Sequence, residues 1–493
     1  MVFPDQLRYD WAGFDEPAVN APTLKALAAA GTRFRHAYSP SPLCETSRGC
    51  LASGRDYETS PVKNPHTLYP AGDPETPTFY SLLQKAGYHT MLAGKDHLRG
   101  NRGFLHPGAV RHESLGFSDA VSSIDKYVNT AYPKPVEAYG AEISQVNLSS
   151  GESAFAGQKR CYGVVGLGQC CDRVPLVDLP AMDMNRFLGA GYQCPRFSPL
   201  PDRYYPDNWI EAMAERLLAR KPEGRPWFMQ LGFLGPHPPF ILTRGMNASV
   251  AGKGYPGPVG SHELPGGAKK AMRAGYAALV ENIDGLLGRL LERLRESGEL
   301  ENTVVAFLSD HGEMLGDFDL VEKSVPWEGS AHVPLIVSGP GLRRGVVEDA
   351  PTTTLDVVAT FLELAGAAPH PAMSSRSLLP LLRGSASEPP RDFVQSGLVY
   401  AGNNYDWHMV VRRLDHATVL KLICCPKGCP TSLANKISRN GSPTLLLQEV
   451  AGKATEEELA SNVMHTRPEE AAAMLELLPL PYQTACRGLL PRA

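Results

Sequence analysis

Apolar positions along the chain follow two rhythms that alternate. Residues 23–31, TLKALAAAG, carry apolar side chains at helical spacing and stop at a glycine, which predicts a short helix. Residues 76–86 and 208–220 predict two more. Residues 274–296 predict the longest, with Leu279, Ile283, Leu286, Leu287, Leu290 and Leu294 on one face. Between the helical stretches lie continuous apolar runs: YHTMLA, PWFMQLGFL, NTVVAFL and VPLIV. Short unbroken runs of this kind read as strands buried on both faces. The alternation through residues 1–370 predicts an α/β fold with a large, mainly parallel sheet flanked by helices. Residues about 115–205 interrupt it, being rich in Gly, Pro, Ser and Cys, and are read as an insertion. After SRSLLPLLRGSASEPP the pattern changes to short strands over 390–450 and a helix in TRPEEAAAMLELL. The expected division is a catalytic α/β domain over 1–384 and a smaller C-terminal α+β domain over 385–493.

Composition narrows the function classes. The chain has 493 residues, 43% hydrophobic and 20% charged, with a formal net charge of −4. That balance, without a dense Lys/Arg run, argues against a nucleic-acid partner. No apolar run reaches the roughly 18 residues of a membrane span. MVFPDQLRYDWAGF lacks the apolar core and cleavage site of a signal peptide. Ten cysteines include a group at Cys161, Cys170, Cys171 and Cys194 and another in CCPKGC, Cys424, Cys425 and Cys429. These read as disulfides in a secreted protein or free thiols in a cytosolic one; a zinc site is the weaker alternative, because C-C-x3-C lacks a second half. Sequons at Asn147, Asn247 and Asn440 lean toward a secretory route.

In an open parallel sheet, ligands gather beyond the carboxyl ends of the strands. Asp310 and His311 follow VVAFL, His237 follows the strand ending in Leu234, Lys95 and His97 follow YHTMLA, and Asp5 and Gln6 follow VFP. Asp5, Asp310 and His311 make a partial shell for a divalent cation. Lys95, His97, His237, Lys323 and Arg48 are donors suited to an anionic ester, whose transition state spreads charge over non-bridging oxygens.

The stretch PLCETSRGCLASGR adds a nucleophile candidate. ETSRGCLASG predicts a short helix closing at Gly54. Cys44 at its start meets the positive end of the helix dipole, with Arg48 one turn on, which favours an anionic nucleophile there. The alternative is a buried structural thiol. A disulfide with Cys50, two turns along the same helix, is geometrically disfavoured.

At this point the chain resembles the formylglycine-dependent sulfatases of the alkaline phosphatase superfamily. Their signature Cys-x-Pro-Ser-Arg-x-x-Leu-Leu-Thr-Gly-Arg reads CETSRGCLASGR here, and Gly-Tyr-x-Thr-x-x-x-Gly-Lys-x-His-Leu reads GYHTMLAGKDHL. SDHGEMLGD, KSVPWEGSAHVPLIVSGPG and TTTLDVVATFLELAG continue the match. The resemblance implies an alkaline-phosphatase-like fold and a sulfuric ester hydrolase acting on small-molecule or carbohydrate sulfate esters. It implies that a formylglycine-generating enzyme oxidises Cys44 to formylglycine, whose hydrated aldehyde is the nucleophile. Asp5, Cys44, Asp310 and His311 would bind one divalent metal, Ca2+ foremost, with Mn2+ or Zn2+ as alternatives. Arg48 would steady the hydrate, and Lys95 and Lys323 would hold the sulfate oxygens. His237 would protonate or steer the leaving group, and His97 would take a proton from the geminal diol to expel sulfate. The Asp-Gln start and the Asp-His pair look most like the choline-sulfatase and phosphonate-monoesterase branch. A phosphonate or phosphodiester hydrolase on the same site is therefore the second expectation, and a pseudoenzyme that binds a sulfated ligand the third.

Three departures from the pattern stand out. Thr46 occupies the proline position that the modifying enzyme reads. Only Met1 to Pro4 precede Asp5, so the first strand is expected to be cut short and a leader lost with it. His332 takes the place of an arginine and has no assigned role.

Overall fold

The computed structural model describes the chain apart from residues 15–18, 65–66, 99–111, 123–195, 198–200, 239, 262–267, 387–390, 401–404, 416–417, 430–441, 451–457, 459–461 and 492–493. Most of the expected insertion, with Cys161, Cys170, Cys171, Cys194 and Asn147, lies outside the described residues, as does Asn440. Asn247 is exposed on the helix Arg244–Val250.

The apolar runs form one central sheet. Its strands are β1 (Gly31–Phe34), β2 (His89–Gly94), β3 (Asp119–Ser122), β4 (Trp227–Gly232), β5 (Val305–Leu308), β6 (Leu335–Ser338) and β7 (Val346–Glu348). The spatial order is β7-β1-β6-β5, then the first residues of the chain, then β4-β2-β3. Val2 bridges Leu231 of β4 and Phe307 of β5, parallel to both. Val2 N donates to Ala306 O at 2.8 Å and Phe3 N to Leu231 O at 2.8 Å. The short apolar run before Asp5 thus occupies the centre of the sheet. Only β6 runs antiparallel to its neighbours, β1 and β5, so the sheet is mainly parallel as its unbroken apolar strands predict.

Helices cover both faces. On one side lie α1 (Pro22–Ala29), α4 (Pro206–Arg220) and α5 (Ala268–Glu296). The predicted stripe of α5, Leu279 to Leu294, is buried throughout. On the other side lie α2 (Cys44–Ser53), α3 (Phe79–Lys85) and α6 (Asp356–Leu364), which bury Leu51, Phe79, Leu83, Val358 and Leu362. Each such fully buried side chain contributes about 1.5–3 kcal/mol relative to exposure. Helix α2 closes as predicted: Gly54 has φ +65° and its N–H reaches Leu51 O.

A second sheet follows, antiparallel and in sequential order: β8 (Phe393–Tyr400), β9 (Tyr405–Arg413), β10 (Val419–Cys425) and β11 (Thr444–Glu449). Alternate residues face opposite ways. Val410, Leu420 and Leu422 pack under α7 (Pro468–Leu475) and α8 (Leu480–Cys486). Trp407, Met409, Val411 and Ile423 pack against Tyr38, Met314, Phe318 and Trp327 of the first domain. The same alternation separates the neighbouring cysteines of β10. Cys424 pairs with Cys486 of α8, and Cys425 pairs with Cys429. The CCPKGC cluster is therefore disulfide chemistry and not a zinc site.

Candidate active site

The strand ends deliver the expected residues to one edge of the sheet. Asp5 leaves the central segment with its N–H on Gly235 O (3.0 Å) and its carbonyl accepting from His237 N (3.1 Å). Cys44 begins α2, whose first turn is held by Ser47 N donating to Leu43 O at 2.8 Å. Thr46 sits in that turn without disturbing it: its hydroxyl meets Ser41 Oγ at 2.8 Å and donates to Leu43 O at 3.0 Å. Asp310 and His311 follow β5, and the Asp310 carbonyl accepts from Ser39 Oγ (2.5 Å) and Ser47 Oγ (2.7 Å).

One ligand atom from each of Asp5, Cys44, Asp310 and His311 lies within 4.8 Å of the others, and all four residues are buried. Cys44 Sγ is 3.0 Å from His311 Nε2 and 3.7 Å from Asp5 Oδ1. His311 Nε2 lies 3.6 Å from Asp5 Oδ1 and 3.8 Å from Asp310 Oδ2. His311 Nδ1 donates to Gly312 O at 2.9 Å, which leaves the Nε2 lone pair turned toward the cluster. Two carboxylates and an imidazole lone pair converging on one point suit a divalent cation.

Cationic groups surround this cluster. Arg48 Nε donates to Asp310 Oδ2 at 2.9 Å, its Nη1 to Lys95 O at 3.1 Å, and its guanidinium stacks 4.5 Å from the Phe3 ring centroid. Lys95 Nζ donates to Asp5 Oδ2. Lys323 Nζ donates to Gln6 Oε1 at 2.7 Å and lies 3.0 Å from His237 Nε2. His97 Nε2 is 3.3 Å from Glu45 Oε1. The structure thus brings Asp5, Cys44, Arg48, Lys95, His97, His237, Asp310, His311 and Lys323 to one site.

Electrostatics follow from burial and neighbours. Burial alone would raise the Asp5 carboxyl, but Lys95, His237, Arg48 and His311 outweigh it and hold Asp5 well below the usual range. Burial lowers His311, and burial with Lys323 beside it keeps His237 well below its ordinary value. His97 goes the other way. Burial and Lys95 push it down, yet hydrogen bonding to Cys44 and Glu45 carries it up to about 9. Burial, then Asp5, raise the Cys44 thiol, against the lowering by Lys323 and Lys95.

Sequence reasoning missed Glu45 and Glu313. Both stand inside quoted motifs, but nothing in a linear pattern says that Glu45 faces His97 or that Glu313 meets Gln6. His332, left unassigned, stacks on Tyr9 (4.2 Å between centroids) and binds Glu328, away from the cluster.

A cation-ready cluster at the carboxyl edge of this sheet is ringed by lysine, arginine and histidine, an arrangement suited to hydrolysis of an anionic ester. Residues 1–367 match the family model described as Sulfatase, and the chain belongs to that family, whose members generally use a metal and formylglycine. It is similar to an arylsulfatase of Clostridium perfringens, 26% identical over 394 residues, covering 74% of this chain and 74% of the relative. It is also similar to a choline-sulfatase of Rhizobium meliloti, 28% identical over 397 residues, covering 75% of this chain and 68% of the relative. The fold superimposes on a phosphonate monoester hydrolase of Silicibacter pomeroyi with a TM-score of 0.66 at 22% identity, covering 97% and 92% of the two chains. By family the chain is a sulfuric ester hydrolase.

Proposed function

We propose that the chain hydrolyses small-molecule or carbohydrate sulfate esters with a formylglycine made from Cys44 and one divalent cation. The observation that carries this is the convergence of Asp5, Cys44, Asp310 and His311 within 4.8 Å. These residues would hold the cation, Ca2+ foremost for the carboxylates, with Mn2+ or Zn2+ admitted by His311. The cation supplies charge stabilisation for the ester oxygens, and the hydrated aldehyde of formylglycine supplies the nucleophile.

The chain's own residues do the rest. Arg48 holds Asp310 and faces Asp5, fixing both carboxylates. Lys95 and Lys323 receive the sulfate oxygens. His237 donates its Nδ1 proton to Pro238 O at 2.5 Å, so its Nε2 faces Lys323 as an acceptor. Arrival of an anionic ester beside it favours its protonated form, which then supplies the leaving oxygen with a proton. His97, between Cys44 and Glu45, exchanges a proton with the group that replaces the thiol.

Support for an extracellular or secretory setting comes from the disulfides Cys424–Cys486 and Cys425–Cys429. Thr46 leaves the start of α2 intact, so its effect falls on recognition by a formylglycine-generating enzyme. Mass spectrometry of the Cys44 peptide from the native host tests the proposal, with the mass of formylglycine expected. Unmodified cysteine together with no turnover would establish the binding-only pseudoenzyme instead. His311 and Gln6 favour a phosphonate or phosphodiester substrate as the second reading. Aryl sulfate and phenyl phosphonate assayed side by side separate the two: faster sulfate turnover is expected, and faster phosphonate turnover would reverse the ranking.

A further inference from the structure

Lys323 sits in a strained piece of backbone. Glu322 and Ser324, on either side of it, have φ of +71° and +76°. Neither is glycine, and such conformations persist only where the surroundings impose them. The flanking backbone groups are all pinned. Glu322 N donates to Glu313 Oε1 at 2.6 Å, and Glu322 O accepts from Met314 N at 2.9 Å. Ser324 N donates to Pro42 O at 2.9 Å, and Ser324 O accepts from the Trp407 indole N–H at 2.9 Å.

Glu313 acts on the lysine twice. Its Oε1 fixes the backbone before Lys323, while its Oε2 accepts from Gln6 Nε2. That orients the Gln6 amide so that Oε1 accepts from Lys323 Nζ at 2.7 Å. Trp407 comes from the other domain. It lies on β9, fully buried, in the interdomain core with Met314, Phe318 and Val325.

We propose that Glu313 and Trp407 are positioning residues that aim Lys323 at the sulfate oxygens, so that the C-terminal domain supports sulfate binding without touching substrate. The proposal rests on the reading of Lys323 as a sulfate-binding group. A purely structural role would also account for the hydrogen bonds, so the test needs a readout that passes through the lysine.

Trp407→Phe keeps the apolar bulk and removes the N–H. Glu313→Gln keeps the shape but turns an amide N–H2 toward partners that are themselves donors. Each is measured alone and combined with Lys323→Met, by aryl sulfate kinetics, inhibition by inorganic sulfate, and melting temperature. Each single variant is expected to raise KM and the sulfate inhibition constant together by about 10-fold, with a smaller change in kcat. In the Lys323→Met background neither is expected to add more than about twofold. The same factor in both backgrounds, or an unchanged KM in Trp407→Phe, would overturn the proposal. If Lys323→Met alone leaves KM and sulfate inhibition unchanged, the premise about Lys323 fails, which is a separate result. Should Glu313→Gln not fold, Trp407→Phe carries the test by itself.

Discussion

The candidate active site and the domain interface both bury charge, in different arrangements. At the active site, side chains from distant segments point their lone pairs into one shared space: Asp5, Cys44, Asp310 and His311 within 4.8 Å. At the interface the charges face each other. Lys421 Nζ donates to Glu328 Oε1 at 2.9 Å and to Glu458 Oε1 at 2.7 Å. Glu328 also takes the Tyr38 hydroxyl at 3.2 Å and lies 3.2 Å from His332 Nδ1. Burial would raise Glu328, but Lys421 and His332 hold it well below its usual range, while burial carries Glu458 up to about 7. Perturbed ionisation marks both places, so it does not by itself identify a catalytic centre. What separates them is geometry: beside its own ion pairs, the site brings one ligand atom from each of four residues within 4.8 Å of the others, whereas the interface carboxylates converge on the Lys421 ammonium.

Substitutions can break that contrast. Cys44→Ala should lower sulfatase activity by roughly 10³-fold or more while the melting temperature stays nearly unchanged. Activity above a tenth of the parent would show that the convergent cluster is not the catalytic one. Removal of divalent metal with a chelator should abolish turnover and lower the melting temperature by about 2–4 °C. Restoration by Ca2+, Mn2+ or Zn2+, titrated separately, then identifies the ion; full activity in the chelated protein would sink the metal assignment.

At the interface, Lys421→Met leaves two buried carboxylates without their cation, and urea unfolding should report a loss of about 3–5 kcal/mol. A loss below about 1 kcal/mol would mean the interface charges are not mutually dependent. The smallest expected effect is at Glu45. His97 is raised from 6.5 to about 9, so the stability from its contacts is complete below 6.5 and fades as pH rises through about 9. Glu45→Gln should lower the His97 midpoint by roughly one unit in an NMR titration. An unmoved midpoint would assign the shift to Cys44 alone.

Much of this architecture is legible in the chain. The leucine stripe of α5 and the unbroken apolar runs follow from burial, which sequence period reports directly. Asp5, Lys95, His97, His237, Asp310 and His311 are legible because each comes just after an apolar strand, whereas Cys44 and Arg48 sit on α2 and Lys323 in a loop, where the motif resemblance marks them. Other features depend on which distant residues meet. Trp407 reaches Ser324 across 83 positions, and Cys424 pairs with Cys486 across 62. Glu313 looks like one more acid in SDHGEMLGD until the left-handed turn around Lys323 places its carboxylate under Gln6. No periodic pattern encodes such pairings, because they arise from tertiary register.

The burial of Cys44 also has a kinetic meaning. The residue is only 5% exposed once the chain has folded. Its neighbour His311 is made 267 positions later. At ribosomal speeds of about 5–20 residues per second, that gap lasts on the order of tens of seconds. During this interval the cysteine is synthesised but its enclosing wall is not. If Cys44 is converted as proposed, the modifying enzyme would work against a clock set by translation, and weaker recognition at Thr46 would be felt first as lost time.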